Sequence, residues 1–222
     1  VPVINENDAV SVTELKFGDN DRLSALVASL LPADLLVILT TADGLIHNFG
    51  GPDARVLPVV EKIDESIAGM ASGTTSATAV GGMTTKIQAA RIATRSGIPL
   101  VIASGRKFDA LARILRGESE GTLFLPGEKR LPARKRWIAF FDRPRGSLMV
   151  DDGARNAIAA DGRSLLSPGI RSVIGEFEAG DVVSILGMDR VEFARGLVRV
   201  PSSMLPSSVK TEVIHRNNLV VL

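Results

Sequence analysis

Apolar runs of two different periods alternate along the first 125 residues. That alternation constrains the fold more than any other feature of the chain. "DLLVILT" (34–40) and "IPLVIAS" (98–104) are short continuous apolar runs, the pattern of strands covered on both faces. Around them the period becomes helical. Asp19, Asn20 and Asp21 precede Leu23, Leu26, Val27, Leu30 and Leu31, an i, i+3, i+4, i+7, i+8 stripe with a capping residue before it and Pro32 beyond it. A second helix is expected over 83–95 with Gly97 as its stop, and a third in "FDALARILRG" (108–117), which also ends at glycine. "TLFL" (122–125) closes the series. Such alternation predicts an α/β fold with a mainly parallel sheet sandwiched by helices. Ligands bind these sheets beyond the carboxyl ends of the strands. Two polar tips fall there: Asn5–Asp8, after the apolar start of "VPVINENDAV", and Thr40–Asp43.

The second half changes character. "PGEKRLPARK" (126–135) combines prolines, a glycine and basic residues, and reads as a linker. Beyond it come short β-rich pieces separated by turn signals, "RWIAFF", "SLMV", "DVVSIL" and "FARGLVRV" (193–200), with one short helix at 153–160. Strands at this spacing suggest a small barrel or sandwich, with Trp137 in its core. The expected organisation is an α/β domain over 1–125, a linker over 126–134, a β domain over 135–212 and a tail over 213–222.

Composition narrows the function. A net charge of +1 over 222 residues gives no global field toward nucleic acid or an anionic membrane. The absence of cysteine excludes disulfides and thiolate metal sites and suits a reducing cytosol, so a cytoplasmic location is expected. No apolar run approaches the ~20 residues needed to span a bilayer, and no basic segment leads into an apolar core as in a signal peptide. The sequence opens on valine, as a fragment or a literally translated non-standard start codon would.

Chemistry concentrates in "SGTTSATAVGGMTTKIQAARIA" (72–93), where glycines and hydroxyl residues lead into a helix with Lys86 in its first turn. Glycines let backbone N–H groups approach a phosphate, a helix N-terminus attracts anions, and a lysine adds a mobile positive charge. The spacing is not that of a Walker A loop. A flexible connection before an ordinary surface lysine fits the same spacing equally well. Asp8, Asp19, Asn20 and Asp21 could bind an ammonium group or orient cationic side chains. Helix capping explains one of the three Asx residues at 19–21, not all of them. His47 and His215 have no partners at metal-ligand spacing and read as surface or packing residues. Eight Lys/Arg against three Asp in 129–155 could meet an RNA backbone or simply be solvated.

Several motifs taken in order carry a resemblance. "NENDAV", "KFGDND", "LTTADGL", "GGMTTK" and "GTLF" resemble the glutamate 5-kinase family of the amino acid kinase superfamily, and "KRWIAFF" through "VDDGARNAI", "LLSPGIRSV" and "GEFEAGDVVSI" resembles a PUA domain. The resemblance implies the C-terminal portion of an αβα sandwich followed by a small β-barrel. It implies ATP-dependent phosphorylation of the L-glutamate γ-carboxylate, the first step toward proline, with Mg²⁺ accompanying ATP. Asp8 and Asn20, flanked by Asp19, would bind glutamate, and Asp21 would orient the catalytic lysines. Thr40 and Thr41 would contact the nucleotide, and Val80, Gly81, Gly82, Met83, Thr84, Thr85 and Lys86 would wrap its phosphates, with Lys86 stabilising the transferred group. Thr41 stands where relatives commonly have aspartate, and Val80 where threonine is familiar. The family's preceding segment, with a lysine and glycines of its own, has no counterpart here, so little or no kinase activity is expected of the chain alone. A homo-oligomer through the kinase domain is also implied. The alternative is an RNA-binding PUA protein without kinase activity.

Overall fold

A computed structural model describes residues 1–5, 20–31, 33–72, 82–127, 130–141, 143–205 and 209–222, and its contacts divide the chain into two units, Val1–Leu131 and Pro132–Leu222. In chain order the first unit contains α1 (Asn20–Leu30), β1 (Leu36–Thr40), β2 (Ile46–His47), β3 (Arg55–Val56), β4 (Val59–Val60), α2 (Glu65–Ser72), α3 (Met83–Arg95), β5 (Leu100–Ser104), α4 (Ala110–Leu115) and β6 (Thr122–Phe124). Its main sheet runs β1-β5-β6-β4. β1 and β5 are parallel, with Leu36 opposite Leu100 and Thr40 opposite Ser104; β4 and β6 are parallel; β5 and β6 are antiparallel. Two of the three pairings are parallel, but β1 and β5 run one way and β6 and β4 the other, so the described sheet is mixed where a mainly parallel one was expected.

The helix ends follow from sequence chemistry. Past α3, Gly97 takes a left-handed φ of 79°. Its N–H bonds the Thr94 carbonyl at 3.0 Å, and the Ile98 N–H bonds the Ala93 carbonyl at 3.0 Å. This is a Schellman closure, which satisfies carbonyls that the helix itself leaves open. α4 ends in the same way, with Gly117 bonded to Ile114 at 2.9 Å and Glu118 to Arg113 at 3.0 Å.

Burial departs from the expected stripe in α1. Leu23 and Leu30 are 43% and 70% exposed, and the buried face is Asp21, Ala25, Ala28 and Ser29. That face packs on α3, whose Ala89, Ala90 and Ala93 are fully buried. Small side chains on both helices let the axes approach closely, and this contact outweighs the leucine periodicity. β5 is buried along its whole length, whereas β1 has only Ile38 buried and leaves Leu39 exposed. β1 is the last strand of the sheet among the described residues, so the expected two-sided cover is incomplete.

A buried hydroxyl ties the loops together. Thr122 Oγ1 accepts from the Leu45 N–H at 2.8 Å and donates to the Leu57 carbonyl at 2.6 Å, fixing the chain after β1 and the approach to β4.

The second unit comprises α5 (Ala133–Arg136), β7 (Gly146–Val150), α6 (Asp152–Ala159), β8 (Leu165–Leu166), β9 (Ile170–Ile174), β10 (Val182–Leu186), β11 (Glu192–Leu197), β12 (Glu212–Ile214) and β13 (Leu219–Val221). Its sheet runs β13-β11-β10-β7-β9, and β8 pairs with β12. Leu148, Val150, Val183, Ile185, Ala194 and Ile214 centre its core. Asp151 caps α6 by accepting from the Ala154 N–H at 2.8 Å.

Two expectations change in this unit. Trp137–Phe141 forms a π-helical turn continuing α5 instead of a strand; Trp137 is exposed and Ile138 takes the buried position. The segment 213–222, read as a tail, supplies β13, which pairs antiparallel with β11. Its run "LVV" is too short to show a period of its own. Among the described residues no helix is long and apolar enough to cross a membrane.

Gly121 makes the tightest backbone approach, at φ 76°, and a β-carbon there would collide with the Ile102 carbonyl oxygen. Gly121→Ala should cost about 3 kcal/mol, combining left-handed strain with that collision. Gly127, with open space around it, should tolerate alanine within about 0.5 kcal/mol. Denaturant unfolding of both variants measures the difference.

Candidate functional site

The parallel pairing of β1 and β5 puts Thr40 and Ser104 side by side, so the segments after both strands emerge at one end of the sheet. The Gly105 N–H donates to the Thr40 carbonyl at 2.8 Å and joins the two exits. α1 leads into β1 and α3 leads into β5, each through a connection of a few residues. Helices feeding parallel strands this way run back along the sheet, which brings their first turns to the strands' carboxyl end. Asp21 in the first turn of α1 therefore meets Lys86 in the first turn of α3.

Lys86 Nζ lies 3.1 Å from Asp21 Oδ2, with side chains only 10% and 12% exposed. Thr85 Oγ1 lies 2.7 Å from the same carboxylate oxygen and 2.8 Å from the Gly82 carbonyl. Gly82, the residue capping α3, is extended and has no side-chain cap, so the cap position offers only backbone. A cation at a helix N-terminus opposes the helix dipole, and the Asp21 carboxylate offsets that opposition. Two helix N-termini and the Lys86 ammonium, offset in part by the Asp21 carboxylate, are groups of the kind that favour a phosphate or another anion.

The structure brings together Asp21, Gly82, Thr85 and Lys86 from the expected set. Asn20 starts α1, and its side-chain amide donates to Asn5 Oδ1 at 2.9 Å, linking Asn5 to this helix. Met83 is half-buried; Thr84 is exposed, its hydroxyl 3.5 Å from the Ala71 carbonyl. Thr40 is half-buried at the end of β1, and Thr41 is exposed just beyond it. Asp8, Asp19, Val80 and Gly81 lie outside the described residues. Among the described residues no three His, Cys, Asp or Glu side chains converge on a metal-sized space.

A second charged group at the same end of the sheet escaped the sequence reading. Lys107 Nζ bonds Glu120 Oε1 at 2.8 Å and lies 3.3 Å from Asp43 Oδ1, and Arg113 reaches Glu120 Oε2 at 2.9 Å. These residues, with Val56 and Pro58, line a cleft of about 410 Å³. Hydrogen bonds to Glu120 and Asp43 hold the Lys107 ammonium above the ordinary lysine value. Arg113 and Arg116 likewise hold the Glu118 carboxyl below its usual value. Residues 43, 107 and 120 lie in three different connecting segments and 113 on α4, and they share no spacing that a sequence reader could use.

Comparison with known proteins gives the site its context. Residues 1–104 match the amino acid kinase family and residues 146–214 match the PUA domain. The glutamate 5-kinase of Moorella thermoacetica is 44% identical over all of this chain, which spans 63% of that protein's length. For the glutamate 5-kinase of Deinococcus radiodurans the identity is 46%, again over all of this chain and 66% of the relative. A PUA domain structure from Aeropyrum pernix K1 is similar at 31% identity and a TM-score of 0.31, covering 38% of this chain and 49% of that one. The chain therefore joins part of an amino-acid-kinase α/β sandwich to a PUA β domain, the fold class expected from its sequence. Within that class it is a relative of the glutamate 5-kinases.

The Glu120 side chain is only 4% exposed and serves two cations. Glu120→Gln should cost about 2 kcal/mol in thermal or denaturant unfolding. Because Lys107 is raised when folded, its contribution is complete below the unfolded lysine value of about 10.4. It is lost as the pH rises through the elevated value. The gap between wild type and Glu120→Gln should narrow as the pH rises through that alkaline range.

Proposed function

We propose that these residues carry glutamate 5-kinase chemistry, the transfer of the terminal phosphoryl group of ATP to the γ-carboxylate of L-glutamate. The observation that carries this reading is the nearly buried Lys86 ammonium at the first turn of α3, 3.1 Å from Asp21. Phosphoryl transfer needs little covalent chemistry from the protein; it needs alignment and compensation of negative charge. ATP, entering with Mg²⁺ on its phosphates, supplies the activated group. Lys86 offsets charge on that group, and Asp21 aims the ammonium. The segment from Val80 to Lys86 surrounds the phosphates, and its glycines leave backbone N–H groups free to approach them. Thr40 and Thr41, at the strand exit, contact the nucleotide. Asn20 and Asp8, flanked by Asp19, receive glutamate.

The residues present suit such a group. The α3 cap position is a glycine without a blocking side chain, and the lysine beside it is ion-paired and held in place. The chain's similarity to the glutamate 5-kinases of Moorella thermoacetica and Deinococcus radiodurans supports the choice of glutamate as acceptor.

The test is a hydroxylamine trap for the acyl phosphate product, with glutamate and MgATP. It uses this chain joined to the stretch of the Moorella relative that it does not span. Hydroxamate should form, and Lys86→Ala in the same protein should lower the rate about a hundredfold or more with the fold intact by circular dichroism. An undiminished rate in that variant removes Lys86 from the mechanism. No hydroxamate from the unsubstituted protein removes the reading.

A further inference from the structure

Thr85 is half-buried in the first turn of α3, and the two acceptors its hydroxyl reaches are both structural. One is the carbonyl of Gly82, 2.8 Å away, at the cap of its own helix. The other is Asp21 Oδ2 on α1, 2.7 Å away, the same oxygen that receives the Lys86 ammonium at 3.1 Å. A threonine hydroxyl carries one proton. That proton is committed within the helix pair, between a fixed carbonyl and a carboxylate, at a place where the Asp21 and Lys86 side chains are nearly out of solvent. Removing the hydroxyl would take away one of the two donors that hold Asp21 Oδ2, leaving the carboxylate restrained only by the mobile Lys86 chain that it is meant to position.

We propose that Thr85 is a positioning residue. It fixes the orientation of the Asp21 carboxylate, and through it the Lys86 ammonium, and its hydroxyl does not serve as a nucleotide contact. This rests on the kinase reading for its purpose, but its geometry belongs to the α1–α3 contact. Position 85 then requires a hydroxyl that can reach two acceptors, which serine retains and valine or alanine loses. A role in packing alone predicts the opposite ranking, because valine keeps the shape of threonine while serine does not.

The test uses the full 222-residue chain and reads Lys86 directly. A lysine ammonium held by a carboxylate gives a ¹H–¹⁵N signal, and the Lys86 signal is assigned by its disappearance in Lys86→Arg. We expect it to persist in Thr85→Ser and to vanish in Thr85→Val and Thr85→Ala, with the backbone amide spectrum otherwise retained. In the unsubstituted chain the Thr85 hydroxyl proton should be slow to exchange and show cross-relaxation with the Lys86 ammonium. That second measurement decides the matter if the valine and alanine variants do not fold. Persistence of the Lys86 signal in a folded valine or alanine variant, its loss in Thr85→Ser, or a rapidly exchanging Thr85 hydroxyl would overturn the inference. None of these readouts depends on turnover, so absence of hydroxamate in the preceding assay strikes the kinase reading and leaves this one standing.

Discussion

The contact between Asp21 and Lys86 is the constraint around which the first unit is arranged. An ammonium at the start of α3 is unfavourable by itself, because the helix end already carries partial positive charge. Taking it nearly out of water adds a desolvation cost, which the attraction to Asp21 only approximately recovers. Such a pair is a poor source of net stability. What it supplies is location: a cation whose position is set by two helix termini, not by a flexible surface side chain. The alanines of α1 and α3 serve this arrangement, since larger residues at 25, 28, 89 or 93 would separate the helices and pull the carboxylate from the lysine.

The same geometry explains which parts of the fold were legible. Helix stops at Gly97 and Gly117 were readable because a left-handed closure has a residue requirement that shows in the sequence. The facing of α1 was not, because Leu23, Leu30 and Leu31 make a clean stripe while the face that packs is Asp21, Ala25, Ala28 and Ser29. Alanine periodicity carries little hydropathy contrast, so the leucines dominate any reading by amphipathicity. Trp137 misled for a related reason. An aromatic residue opening an apolar run suggests a strand, yet that run continues a helix whose buried member is Ile138.

Of the site, Lys86 was legible from its place after a glycine-rich stretch. The role of Asp21 came from resemblance, since nothing in the spacing of residues 21 and 86 implies that they touch. Two residues sixty-five apart in the chain meet only through the crossover topology that returns each helix along the sheet. The Asp43–Lys107–Glu120–Arg113 group was illegible for the same reason. Its members follow β1, follow β5, lie on α4 and precede β6, and only the assembled sheet brings them to one end.

These two charged groups differ in a way that bears on function. Around Glu120 the cations are arginine and a half-exposed lysine, and the carboxylate is the most deeply buried member. That arrangement fastens loops, as the neighbouring Thr122 hydroxyl does between Leu45 and Leu57. Around Asp21 the order is different: cation and carboxylate are buried to similar degrees, and the cation stands at a helix mouth beside a glycine cap. A carboxylate enclosed by cations has its charge already answered. The Lys86 ammonium stands instead at the first turn of a helix, paired with a single carboxylate oxygen of Asp21. The first group ties together the loops at the sheet's carboxyl end, and the second sits where two helix first turns meet at that same end.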